Sequence, residues 1–187
     1  MSLVLGYADI SKCIIVSDGR FCNPDNEILS EAYDKTKRIN GNVIIGFAGN
    51  AQLCEMIIDH AAPDNFPKSA SVKEVAGTLE ASLRLLCDRF PGHLAQFVVA
   101  GKSQFGKAQL RAFGTEYSML VRNPTTNAPE FVELSQTGVD ARAIFQRFYS
   151  SIYNTGDIEA IMKKTIREVA ISDQSVNTTF FTQTVLL

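Results

Sequence analysis

The residue types in this chain that could do chemistry are mostly hydroxyls, carboxylates and amines at the ends of apolar runs. Its two histidines, His60 and His93, have no ligand-like partner at helix or strand spacing. Cys13, Cys22, Cys54 and Cys87 are widely spaced and form no C-x-x-C pair, so no zinc site or dithiol centre is expected and the thiols are read as buried. A Ser-His-Asp triad stays open on composition. However, His60 ends a helical pattern and His93 follows Pro91-Gly92, which places both among solvated loop residues. Taken singly, Ser2, Asp18, Lys35, Gly49, Thr137 and Asp173 each have an ordinary role. Asp18 before Gly19 suits a turn, Lys35 a solvated charge ahead of a strand, and Gly49-Asn50 a helix start. Thr137 before Gly138 suits a cap, Asp173 a loop acid after a helix, and Ser2 a loose terminal residue.

The elements that must carry these residues follow from hydrophobic period and turn chemistry. Val4–Ala8 and Cys13–Ser17 are short apolar runs rich in β-branched residues, joined by Asp9-Ile10-Ser11-Lys12, and are predicted to form a hairpin. A polar stretch runs from Gly19 to Tyr33. It is followed by strands Lys35–Ile39 and Asn42–Ala48, whose Asn40-Gly41 junction predicts a type I′ turn with positive φ at both residues. The first four strands are expected to pair as consecutive hairpins. Leu53, Ile57 and Ile58 mark one helix, which Pro63 closes. Ser71-Val72-Lys73-Glu74 opens a second with an S-x-x-E capping box. Strands are predicted at Ala95–Ala100, Gln109–Phe113, Tyr117–Val121 and Phe131–Leu134. Two more helical stripes follow, one from Ala141 to Ile152 and one, after Gly156, from Ile158 to Val169, before a last strand over Thr178–Leu187. Tight turns between sequential strands exclude a doubly wound parallel sheet. The expected fold is therefore α+β, a four-layer αββα sandwich of two antiparallel sheets between helix pairs.

Length and composition agree with one domain over residues 1–187, since a chain of this size buries roughly 70% of its unfolded surface. With 45% hydrophobic and 20% charged residues and a net charge of −2, the chain has no basic stripe, so no nucleic-acid partner is expected. Its longest apolar runs fall far short of the ~20 residues that span a bilayer, and no basic-flanked secretory segment opens it. No membrane association and a cytoplasmic location are expected.

Three stretches carry a family resemblance. Ile14-Ile15-Val16-Ser17-Asp18-Gly19-Arg20 is similar to the apolar strand ending in Asp-x-Arg of proteasome β-type subunits and the ring protease of the bacterial heat-shock system. Lys35-Thr36-Lys37-Arg38-Ile39-Asn40, with Ile44-Ile45-Gly46-Phe47-Ala48-Gly49, resembles their lysine strand and the Ala-Gly that ends the next one. Ser135-Gln136-Thr137-Gly138 resembles a Gly-Ser-Gly-like turn, and Asp173 after the last helix is a weaker match. The resemblance spans nearly the whole chain and implies the N-terminal nucleophile hydrolase fold.

In that family the spacing from the motif aspartate places the nucleophile at Ser2, where the family normally has threonine and where Met1 precedes it here. The resemblance implies that the free α-amine of that residue is its own general base, usually through water. With an ordinary pKa of about 7.7–8.0, that amine is lowered further by a nearby ammonium. Lys35 would supply the ammonium and Asp18 would hold it. The N–H of Gly49 would face the oxyanion, an interaction of about 3–4 kcal/mol in a comparable hole. Thr137 and Asp173 would orient the amine and its water. Tyr33, Phe47 and Ala51 fall where the family builds the pocket for the side chain before the cleaved bond, although Phe47 equally suits a strand core.

The expected function is a threonine- or serine-type peptidase that needs no cofactor or metal. It would cleave unfolded polypeptide inside a homo-oligomeric ring fed by an ATP-dependent unfoldase. The alternatives are an inactive ring or scaffold subunit and a small-molecule amidase of the same superfamily. An α-type subunit is disfavoured, because such chains carry an extra helix before the first strand.

Overall fold

The structure, a computed structural model, describes residues 2–23, 27–135, 137–151 and 157–187. Met1, Gln136, Ile152 and Gly156, all used in the sequence reading, lie outside the described residues. The chain opens with β1 (Leu3–Ala8), β2 (Lys12–Asp18), the short strands β3 (Phe21–Cys22) and β4 (Ile28–Ser30), then β5 (Thr36–Arg38) and β6 (Val43–Gly49). Helices α1 (Ala51–His60) and α2 (Val72–Cys87) precede β7 (Ala95–Lys102), β8 (Ala108–Gly114), β9 (Leu120–Arg122) and β10 (Glu130–Ser135). Helices α3 (Ala141–Ser151) and α4 (Ile158–Ser172) lead to β11 (Phe180–Leu186).

Two antiparallel sheets result, ordered β10-β1-β2-β11 and β5-β6-β7-β8-β9. Val4, Ile15, Ile44, Val98 and Leu110 fill the layer between them. Val43, Ile45, Phe47 and Phe97 turn the other way, onto Leu53, Ile57, Val75 and Leu79 of α1 and α2. Leu3, Leu5 and Val16 pack on Phe145, Ile161, Met162 and Ile166 of α3 and α4. This is the four-layer αββα sandwich. Because both faces of β1 and β6 are covered, their strands read as unbroken apolar runs rather than alternations. Each of these buried side chains contributes about 1.5–3 kcal/mol.

The helix starts obey their local chemistry. Asn50 caps α1 by accepting the Leu53 N–H at 2.9 Å, and Glu74 reaches back to the Ser71 N–H at 2.8 Å. Other expectations are corrected. The first four predicted strands pair as the consecutive hairpins β1–β2 and β5–β6, but the two hairpins fall in different sheets, with β2 between β1 and β11 and β5–β6 at the edge of the second. The polar stretch after Gly19 contains the β3–β4 hairpin, and the strand expected at Tyr117–Val121 is confined to Leu120–Arg122. Asn40 and Gly41 do not take positive φ. Instead the turn closes through Ile39 N–H on Val43 O at 3.0 Å, with the Asn40 side chain accepting the Asn42 N–H at 2.8 Å and donating to Pro67 and Ala70 carbonyls. Cys22 and Cys87 are only half-buried, unlike Cys13 and Cys54.

Glu133 on β10 lines a cavity with Arg142, near the start of α3, and its Oε2 is buried without a partner. Burial pushes this carboxyl up, the Arg142 N–H pulls it back, Asp140 raises it and the Arg142 guanidinium lowers it, with a net rise above its ordinary 4.5. The folded chain therefore binds a proton more readily than the unfolded one, and stability falls as pH rises from 4.5 through the folded value. Glu133→Gln removes this loss. The variant should melt higher than the parent at neutral pH, with the gap closing below pH 4.5. Melts showing the same offset at every pH would count against it.

Candidate functional site

The candidate site gathers where β1 begins, β2 ends and the run into β5 arrives. β1 and β2 pair so that Val4 faces Ser17, which brings the backbone of Leu3 to Asp18. The Asp18 carboxylate then accepts three donors: the Leu3 N–H at 2.9 Å, the Arg20 N–H at 2.9 Å and the Lys35 ammonium at 2.6 Å. Lys35 Nζ also donates to the Asp18 carbonyl at 3.2 Å. Both side chains are enclosed, Asp18 at 0% and Lys35 at 2% exposure, so this is a buried ion pair and not the solvated surface charge that Lys35 taken alone suggests. Burial pulls the lysine below its ordinary pKa, while the charge of Asp18 and the hydrogen bond to it pull the other way. Ser2, itself buried, is the residue immediately before Leu3.

β6 completes the approach. The Phe47 N–H donates to Lys35 O at 3.0 Å, and strand alternation sends the Gly49 N–H to the same edge, towards the lysine strand. Gly49 has φ +110, and a Cβ there would lie 2.2 Å from the Leu94 carbonyl oxygen, so only glycine fits. Its neighbour Asn50 starts α1, whose first turn faces the same end of the strand.

The other sequence-derived residues are placed less directly. Thr137 follows Ser135, which is paired with Leu3 across β1–β10. The Thr137 hydroxyl lies 2.9 Å from Ser135 Oγ and donates to Val139 O at 3.1 Å. Asp173 caps the end of α4, and its Oδ1 accepts the Ser175 N–H at 2.8 Å and the Ser175 hydroxyl at 2.6 Å. Both are satisfied within their own turns. Phe47 is 5% exposed and belongs to the helix-side core beside Phe97. Tyr33 meets Phe47 edge-on at 6.3 Å and Phe21 at 5.1 Å, and its hydroxyl donates to the Glu55 carboxylate. Ala51 is the buried first residue of α1.

Both histidines are exposed, as expected, and each makes one contact: His60 Nδ1 lies 3.0 Å from Ser82 Oγ, and His93 Nδ1 lies 2.9 Å from Asn50 Nδ2. Neither contact reaches a nucleophile–carboxylate arrangement. Burial pushes the Cys13 and Cys54 thiols up to about 12, which keeps them inert near neutral pH. Among the described residues no group of three or more His, Cys, Asp or Glu is placed to hold a metal ion. Sequence reasoning missed Ser175, which holds Asp173, and Arg20 and Asn177, which tie the end of β2 to neighbouring loops. Arg20 was visible within Asp-x-Arg. Asn177 carried no local signal.

A buried charge stripped of its partner is costly, about 3–5 kcal/mol. Lys35→Met and Asp18→Asn should each destabilise the chain by about that amount, whereas the two combined should lose clearly less than the sum of the single changes. Denaturant melts of the four chains measure the coupling. Additive losses would mean that the two groups do not act as a pair.

No protein-family model matches the chain, and no curated protein matches it by sequence. Among solved structures, it superposes on HslV of Trypanosoma brucei with a TM-score of 0.69 at 16% identity, covering 99% of each chain. It superposes on Anbu, the ancestral beta-subunit, of Yersinia bercovieri with a TM-score of 0.76 at 14% identity, covering 97% of this chain and 80% of that one. A mutant Anbu from Hyphomicrobium sp. gives 0.76 at 16% identity over the same shares. Among the described residues no helix is long and apolar enough to cross a membrane. The chain has the proteasome-like N-terminal nucleophile hydrolase fold shared by these structures.

Proposed function

We propose that residues 1–187 form one N-terminal nucleophile hydrolase domain acting as a peptidase on unfolded polypeptide inside a ring of identical subunits, with an ATP-dependent unfoldase delivering substrate. The observation that carries this reading is the enclosed Asp18–Lys35 pair, bonded to the backbone one residue after Ser2. An ammonium desolvated to this degree has little structural justification, because an apolar pair of similar volume would pack there at no greater cost. Next to a terminal amine, it has a chemical one: like-charge repulsion lowers that amine's pKa and keeps it unprotonated.

In this mechanism the α-amine of Ser2 takes the hydroxyl proton, through water, as Ser2 Oγ attacks the substrate carbonyl carbon. The Gly49 N–H receives the developing oxyanion. The carbon–nitrogen bond then breaks, the amine fragment leaves with the proton, and the serine ester is hydrolysed by water with the same base. Thr137 and Asp173 orient the amine and its water. Tyr33, Phe47 and Ala51 form the apolar wall of the specificity pocket, which favours cleavage after hydrophobic residues.

A second reading, a ring or scaffold subunit without activity, draws support from two details. The Thr137 hydroxyl and Asp173 Oδ1 are bonded within their own turns, and Phe47 is packed into the core. A small-molecule amidase has no comparable observation in its favour.

Three chains separate the readings on one apolar fluorogenic peptide: one retaining Met1, one beginning at a free Ser2, and one beginning at a free Ser2→Thr. Acylating the amine removes the base, so the chain retaining Met1 should be slower by about 10²-fold or more. Equal rates in all three would remove Ser2 as nucleophile, and no turnover in any would favour the scaffold. Light scattering at micromolar concentration should give a mass that is a multiple of 20.5 kDa corresponding to a closed ring. A monomer would refute the compartment.

A further inference from the structure

Asn177 lies in the turn between α4 and β11 and is 7% exposed. Its side chain uses its full hydrogen-bonding capacity: Oδ1 accepts the Gly19 N–H at 2.9 Å and the Thr179 N–H at 3.2 Å, and Nδ2 donates to Glu31 O at 2.9 Å and Glu31 Oε2 at 2.6 Å. Glu31 in turn binds Arg20, Nη2 to Oε1 at 2.9 Å and Nε to Oε2 at 3.1 Å, and Arg20 Nη1 reaches the Gln174 carbonyl. The Tyr33 N–H donates to Gly19 O at 2.8 Å. Three segments therefore meet on one amide: the end of β2, the run into the lysine strand, and the turn that carries Asp173 and Ser175. They meet closely, since a Cβ on Gly19 would lie 2.9 Å from both Glu31 O and Thr179 Cβ.

The peptide groups around Asp18 are each assigned a partner by this arrangement. The Leu3 and Arg20 N–H groups go to the Asp18 carboxylate, and the Gly19 N–H goes to Asn177. We infer that Asn177 is the positioning residue of the site. By holding the Gly19 peptide, it sets the direction of the Asp18 carboxylate and so the place of the Lys35 ammonium, and it fixes the Asp173 turn to the same frame. Its link to catalysis rests on the peptidase reading above, whereas its effect on Lys35 does not.

The test reads both. The Lys35 Nζ and Cε resonances at neutral pH, the melting temperature and the turnover of an apolar peptide are compared in the parent, Asn177→Ala and the near-isosteric Asn177→Asp. Asn177→Ala should displace the Lys35 signals and lower kcat by about tenfold or more, with KM within about twofold, as expected for a misplaced group that does not itself bind substrate. Asn177→Asp keeps an acceptor for the Gly19 N–H and loses only the donor to Glu31, so its Lys35 signals should move less than those of Asn177→Ala. Unmoved Lys35 signals in Asn177→Ala, whatever the melting temperature does, would reduce Asn177 to a holder of its turn and overturn the proposal. Equal displacement in the two variants would do the same. If the parent turns over no peptide while the signals move as stated, the peptidase reading fails and the positioning role stands.

Discussion

The enclosed pair of Asp18 and Lys35 is the constraint from which the rest of this structure follows. Two charges at 0% and 2% exposure sit where desolvation costs several kcal/mol per ion, and that cost is offset only by short bonds in good geometry. Asp18 meets the condition with two backbone N–H groups and the ammonium at 2.6 Å. Each partner comes from a different stretch of chain: the start of β1, the turn after β2 and the run into β5. Elsewhere the two sheets meet mainly through apolar contact, which is non-directional, with isolated polar links such as Arg38 to the Thr184 carbonyl and Cys13 to the Gly101 carbonyl. At this end a set of directional bonds holds them in one relative position.

That polar junction determines what can surround it. Lys35 is aligned by the ladder bond from Phe47, so β6 must run alongside and end at Gly49. Gly49 can turn there only because it has no Cβ to meet the Leu94 carbonyl. The positive φ carries the chain directly into Asn50 and α1, placing a helix N-terminus, with its partial positive charge, at the end where the Gly49 N–H points. On the opposite side, β10 brings Ser135 against Leu3, and α3 and α4 cover that sheet before returning the chain through Asp173 and Asn177. The site is therefore a meeting of strand ends and loop turns supported by two helix-covered sheets, a common division between rigid scaffold and functional loop.

The likeness to HslV and Anbu at 14–16% identity follows from the same economy of constraints. Layer packing requires apolar residues of suitable volume on particular faces but leaves their identity free within wide limits. Few positions are chemically dictated. Among them are the aspartate and lysine that must neutralise each other, and a glycine whose backbone no other residue can adopt without strain.

Much of the scaffold was legible because its signals are local. The apolar runs of β1, β2, β6 and β7, the Ser71–Glu74 box and the Asn50 cap each depend on residues within a few positions of one another, so sequence alone determined that these strands and helices exist and in what order. Sequence also placed Asp18, Lys35 and Gly49 at strand ends, through their motifs. The partition of the strands into two sheets was not legible, since β2 is as apolar as β6 and nothing local says that its second neighbour is β11, more than 160 positions away. Nor was the Asn40-Gly41 turn, where bonds to Pro67 and Ala70 override the hairpin preference of the dipeptide. Asn177 looks like any loop asparagine until Gly19 and Glu31 are brought to it. Burial of Lys35, the saturation of Asp18 and the three-way junction at Asn177 were decided only by tertiary structure, because each depends on contacts between segments distant in sequence, whose charges are desolvated only when the sheets and loops have closed around them.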